Sequence, residues 1–197
     1  MDQAPKQTEP SYVTDAASAA GLVRKANRIL VIGCSGGGKS TLSQRIAKDC
    51  DLTYISVDRD VFWLPGWVER DKREQREIFA ARVLEERWIM DGNNPSSFDI
   101  RLPRTDFVIW VRMPRLLCVW GAATRALRWL GRTRPEMAPG CLEKVDLPFL
   151  WYIWTFEEKF TPRFIAGIVE HGPHVPVFQI KSRGEMRRLL DLLSHPA

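Results

Sequence analysis

Nine residues, Gly33 to Thr41 (GCSGGGKST), bring a glycine-rich turn, one lysine and two hydroxyls into the spacing GxxxxGK[S/T]. That set suits one chemistry, the holding of a nucleotide triphosphate. Gly33, Gly36, Gly37 and Gly38 let the backbone curl without side-chain obstruction, so that its N–H groups, with those around Ser35, converge on an anion. Lys39 is placed to reach the β/γ-phosphates, Ser40 to offer its hydroxyl to Mg²⁺, and Thr41 to cap the α-phosphate side.

A loop of this kind needs a carboxylate at the end of a neighbouring strand to hold the shell of the metal ion. The sequence WIMDGN puts Asp91 directly after a short apolar run, and Asp91 with Ser40 is the expected metal pair. Asp-Gly is also a common turn pair. The residue after Asp91 is Gly92 rather than a glutamate that would activate water, which favours phosphoryl transfer to another molecule over hydrolysis. On the acceptor side, Asp58 follows TYISV and opens a loop, Asp58 to Arg70, that also holds Asp60, Trp63 and Trp67. Asp58 would serve as general base for a hydroxyl acceptor, whereas a phosphate acceptor would require none. The two tryptophans either stack on an acceptor or pack, and packing is favoured. Arg101 and Arg104 either meet an acceptor phosphate or cap the approach to the next strand.

These residues need a frame to bring them together. The apolar runs 28–32, 53–57, 88–90, 107–111 and 175–180 read as strands, and the patterned stretches 41–49, 71–87, 114–130 and 184–193 read as helices. Strands alternating with helices imply a parallel sheet covered on both faces. Its carboxyl edge is where such sheets bind ligands. Residues 1–27, polar and alanine-rich, are expected to be a flexible tail with a helix starting near Val13, leaving 28–197 as the folded domain. The aromatic stretch Leu147 to Phe164 is expected to pack on the sheet, since Glu157 and Glu158 spoil a membrane-surface face.

Composition agrees with one globular domain: 197 residues, 45% hydrophobic, 27% charged, net charge +5. The charge is uneven, with six arginines and no acid between Arg112 and Arg134. Arg125, Arg128 and Arg132 fall at i, i+3 and i+7, one helix face that would close over a triphosphate, where planar guanidiniums meet spreading negative charge in pairs of bonds. A solvated face, or a patch for nucleic-acid backbone, is the plain alternative. Four cysteines form no CxxC pair, so neither zinc nor a disulfide framework is indicated. Cys34 lies where a helix N-terminus can lower a thiol pKa, and is expected to be a bystander. His171, His174 and His195 lack ligand spacing. No export signal or membrane span is read, and a cytoplasmic location is expected.

The glycine-rich loop, the Asp-Gly pair and the run Arg128-Trp129-Leu130-Gly131-Arg132 look like the adenylate kinase type of nucleotide kinases. FWLPGW, ERWIMDGN, RLPRTD, GRTRPEM and the WTFE segment resemble, more narrowly, bacterial P-loop proteins described as adenylate kinase-related or DNA topology modulation proteins, the FlaR-like group. The resemblance spans about residues 28 to 190. It implies an α/β P-loop NTPase with a five-stranded parallel sheet and an arginine-rich helical lid at about 125–146. It further implies ATP as donor, and Arg128 and Arg132 in nucleotide and phosphate roles. Adenylate kinases follow Asp-Gly with Phe-Pro-Arg, whereas here Asn93, Asn94 and Pro95 follow, which removes the arginine that would bind AMP.

Two readings remain at this point. The first is a kinase for a nucleotide or other small acceptor, with Lys39, Arg132, Asp58 and Asp91 as catalytic residues. The second is a nucleotide-gated, DNA-associated regulatory protein with little turnover. No helix-turn-helix, zinc-finger or NKxD sequence supports the second or a GTPase switch.

Overall fold

In the computed structural model, residues 8–143 and 146–195 are described. Residues 1–7 of the expected tail, residues 144 and 145 of the expected lid, and residues 196 and 197 lie outside them. The chain runs β1 (Ser11–Val13), α1 (Ala16–Lys25), β2 (Arg28–Gly33), α2 (Lys39–Cys50), β3 (Thr53–Ser56), β4 (Trp63–Leu64), β5 (Val68–Glu69) and α3 (Lys72–Arg82). It continues through β6 (Trp88–Asp91), α4 (Phe98–Arg101), β7 (Phe107–Val111), α5 (Arg115–Trp129), α6 (Leu147–His171), β8 (Pro176–Ile180) and α7 (Arg183–Ser194).

The main sheet has the order β3-β6-β2-β7-β8-β1, with every pair parallel. Leu30 in the central strand faces Met90 on one side and Val108 on the other. β6 and β7 are buried at every residue, and β2 at all but its first. Continuous apolar runs, rather than alternating ones, are what strands covered on both faces require. One group of helices, α1, α2 and α7, packs together, and in the other α3 packs on α4, α4 on α6 and α6 on α5.

The sheet has six strands, where the sequence implied five. The sixth comes from the segment expected to be a tail. β1 pairs with β8, Tyr12 opposite Val177, and α1 follows, capped by the Asp15 carboxylate, which accepts from the Ser18 N–H at 2.8 Å. Ala19, Ala20 and Val23 on α1 are fully buried, and α1 packs on α7, whose Met186, Leu189 and Leu193 are buried as well. An alanine-rich stretch that reads as loose in isolation is thus ordered by the apolar stripe it covers.

The loop 58–70 is also more structured than expected. Residues Val57–Phe62 form one π-helical turn, and β4 pairs with β5 as a small hairpin.

Candidate active site

The carboxyl ends of β2, β3 and β6 open on one cavity of about 1000 Å³. Ser35, Gly36, Gly38, Lys39, Ser40 and Thr41 line it, whereas Gly33 and Gly37 form the back of the loop. Gly38 ends the turn in a left-handed conformation and α2 starts at Lys39, so the helix N-terminus and the loop amides face the cavity. The Lys39 ammonium donates to the Cys34 carbonyl at 3.1 Å.

The loop is held tightly from behind. A Cβ on Gly36, whose φ is +77°, would stand 2.0 Å from the Cys118 carbonyl oxygen, and one on Gly121 of α5 would stand 2.2 Å from the Gly36 oxygen. Backbone meets backbone there, which only glycine permits. Asn93 fastens the other side: Gly33 N–H donates to its Oδ1, and its Nδ2 donates to the Gly33 carbonyl, both at 2.9 Å.

Both expected carboxylates reach the cavity. Asp91, the last residue of β6, is buried, and its Oδ2 accepts from the Tyr54 hydroxyl at 3.2 Å, while its Oδ1 has no partner among the described residues. Burial raises its pKa, Lys39 and Ser40 lower it, and Asp58 raises it further. Asp58, in the π-helical turn, is open to cavity water yet walled by protein. That enclosure raises its pKa, with Lys39, then Arg134 and Arg125, pulling it down. Gly92 follows Asp91 with φ +149°, and a Cβ there would strike the Val57 side chain at 2.4 Å, so the Asp-Gly pair lets β6 and the π-helical turn approach.

Arg101 does not face an acceptor. It is fully buried, with its guanidinium between the rings of Phe79 (4.9 Å) and Phe98 (5.2 Å). It donates to the carbonyls of Gly92 at 2.9 Å, of Asn93, and of Asn94 at 2.8 Å. Neither sequence alternative describes it: Arg101 fixes the loop after Asp91, behind β6, rather than meeting a phosphate or capping the approach to β7. Arg104 is exposed.

The arginine face is only partly where the spacing put it. Arg125, Arg128 and Arg134 line the cavity, while Arg132 is exposed just beyond α5, outside the lining. Several of these cations already have acidic partners. Arg125 and Arg134 share Glu143, Arg112 pairs with Glu157, and Arg115 lies near Glu158 at 3.5 Å. That distribution leaves little of an open basic patch.

Trp63 and Trp67 meet edge to face, 5.3 Å apart, and pack with Met137, Ala138 and Cys141, yet both also border the cavity. The Trp67 indole donates to the Leu142 carbonyl at 3.0 Å. The same cavity is lined from α6 by Phe149, Tyr152 and Phe160, part of one aromatic stripe whose next member packs on the sheet, Phe164 against Trp110. Cys34 does not have the lowered pKa that a helix N-terminus can give, though it fits the bystander role. The Cys118 thiol beside it and burial push its pKa up, which keeps it an inert thiol. Sequence reasoning gave no site role to Glu143, Asn93, Tyr152 or Arg183. Arg183, which lines the cavity and points at the Gly36 carbonyl from the start of α7, had a signal in its position just after the last strand. Glu143 had none. Among the described residues no His/Cys/Asp/Glu group forms a metal cluster, and no helix is long and apolar enough to cross a membrane.

No family model matches the chain, and no curated protein matches it. Solved structures do. The shikimate kinase from Acinetobacter baumannii in complex with shikimate is similar with a TM-score of 0.56 at 13% identity, covering 87% of this chain and 93% of that one. The shikimate kinase from Bacteroides thetaiotaomicron gives 0.51 at 16% identity, covering 85% and 96%. The narrower FlaR-like likeness has no support in these comparisons. What they show is the architecture: the chain shares the α/β fold of these two structures, a parallel sheet with helices packed on it.

Proposed function

We propose that the chain is an ATP-dependent phosphotransferase that moves the γ-phosphoryl group of ATP to a hydroxyl of a small-molecule acceptor. The observation that carries this reading is the position of Asp58, in one cavity with the glycine-rich loop, Lys39 and a set of aromatic side chains. In the reaction the acceptor oxygen bonds to the γ-phosphorus as the bond to the β,γ-bridging oxygen breaks, ADP leaves, and the hydroxyl proton passes to Asp58.

The loop amides and Lys39 bind and orient the donor phosphates. Ser40 and Asp91 are the residues that would hold Mg²⁺, which when bound supplies positive charge to the phosphate oxygens. The fit rests on Asp91, whose buried Oδ1 lacks any partner among the described residues. Arg128 faces the transferring phosphoryl group, and Arg132 joins it when the segment beyond α5 closes. The aromatic walls exclude water, in keeping with Gly92 in place of a base for hydrolysis.

The test is ADP release from ATP with a panel of nucleosides, nucleotides, sugars and hydroxy acids, beside a control without acceptor. Turnover that depends on an acceptor and disappears in Lys39→Ala supports the reading. Fast hydrolysis without acceptor ends it.

A further inference from the structure

Glu143 is buried, with 2% of its side chain exposed, and its two carboxylate oxygens are taken by two different arginines. Arg125 Nε donates to Oε1 at 2.9 Å and Arg134 Nε donates to Oε2. The terminal Nη groups of both guanidiniums have no hydrogen-bond partner among the described residues, and both residues line the cavity. Two cations held by one acid leave a net positive charge with four unused donor groups. Arg125 also stands over the Phe149 ring at 5.8 Å, which limits the directions it can take.

This pair lies on the acceptor side. Its loop is bound to the element that carries Asp58: the Ser56 hydroxyl donates to the Glu136 carbonyl at 2.9 Å, and Arg59 donates to the Pro135 carbonyl at 3.1 Å. Lys39 acts on both carboxylates, whereas Arg134 and Arg125 act on Asp58 and Ser40 and Tyr54 act on Asp91. The other cavity cations have separate places: Lys39 lies within the glycine-rich loop and Arg183 is against Gly36.

We infer that Arg125 and Arg134, pinned by Glu143, form an anion clamp that selects acceptors carrying a carboxylate or phosphate group besides the hydroxyl served by Asp58. Two fixed guanidiniums presenting their outer N–H groups match the oxygens of such an anion, and the shared glutamate holds apart two cations that would otherwise repel. Assigning the anion to an acceptor rests on the kinase reading. The clamp itself does not.

The test loads the full-length protein with Mg²⁺ and the β,γ-imido analogue of ATP, then titrates inorganic phosphate and, separately, malonate, following tryptophan fluorescence from Trp63, Trp67 and Trp129 at the cavity wall. Saturable binding is expected for at least one anion, and the one preferred tells phosphate ester from carboxylate. Arg125→Gln and Arg134→Gln should each weaken it ~10-fold or more, the loss of a charge-assisted bond, with analogue affinity changed less than threefold. Arg73→Gln, at an exposed arginine of α3 outside the cavity, should change neither. Arg134→Lys, which keeps the charge without the fork, should fall between and serves if Arg134→Gln does not fold. The proposal fails if neither anion binds to the loaded protein, or if the variants lose analogue and anion affinity alike, which would give the pair to the donor. Acceptor-dependent ADP release, measured in parallel, separates the two ideas. Anion binding without turnover of any acceptor fails the kinase reading alone, and turnover of neutral alcohols without anion binding fails the clamp alone.

Discussion

Replacing Arg101 by methionine should cost ~3–5 kcal/mol of stability although no acidic partner is lost. The guanidinium is fully buried, and burial pushes its pKa down to about 9 from 12.5, a penalty on the charged form of about 5 kcal/mol, with the side chain still charged at neutral pH. Against it stand the bonds to Gly92, Asn93 and Asn94, at ~1.5–3 kcal/mol each for a charged donor, and the Phe79 and Phe98 faces, at ~1–2 kcal/mol each. The favourable side exceeds the burial cost by several kcal/mol. Methionine fills much of the volume but leaves the three carbonyls without this donor. For a chain of this length the thermal midpoint should fall by roughly 10 °C. Calorimetry, with urea unfolding followed by tryptophan fluorescence, measures the loss. Amide exchange should show the Gly33 N–H, bonded to Asn93 in the same loop, losing protection first. A loss below about 1 kcal/mol would mean that the burial penalty cancels the bonds, and that Arg101 does not hold the loop.

Gly36→Ala should lower ATP affinity ~10-fold or more, because the new Cβ would meet the Cys118 oxygen at 2.0 Å, whereas Gly21→Ala, with nothing within 4 Å, should stabilise α1 by ~0.5–1 kcal/mol. Equal and small effects in calorimetry and nucleotide titration would refute the close-contact argument. Because enclosure raises the Asp58 pKa, the acid limb of kcat/KM should lie above the ordinary carboxylate range, with activity lost as pH falls through it. Asp58→Asn should flatten that limb and reduce kcat ~10²-fold or more. The same shift makes ionised Asp58 unfavourable in the fold. Asp58→Asn should therefore raise the melting temperature at neutral pH and match the wild type below the unfolded-state pKa, as thermal scans across pH can check. Arg132→Ala should lower kcat more than ATP affinity, since the charge it would meet grows toward the transition state; steady-state kinetics equal to wild type would remove it from the lid. Binding to duplex DNA should be weak, indifferent to sequence and steeply dependent on salt, given how many of the clustered arginines have acidic partners; a tight, selective complex at physiological salt would favour the regulatory reading.

The linear order of residues was enough to mark the glycine-rich loop and Asp91 as lining one cavity, because each lies within a few positions of a strand end. It was also enough for the five longer strands, whose apolar runs state their burial. It did not announce β1 or the fate of residues 8–27, since a three-residue strand and an alanine-rich helix acquire their reason only from β8 and α7. Helical spacing put Arg125, Arg128 and Arg132 on one face, but α5 ends at Trp129, and the change of direction there leaves Arg132 in solvent and turns Arg134 inward. Arg101, expected to bind a phosphate or cap the approach to the next strand, does neither, because it is buried against the loop after β6. The packing of Phe79 and Phe98 around it decided the matter. Glu143, at 18 residues from Arg125 and 9 from Arg134, has no pattern to betray it, and only the folded chain brings its two oxygens between them. Local chemistry is written in spacing, whereas a charge shared across a cavity depends on where distant segments of the chain return.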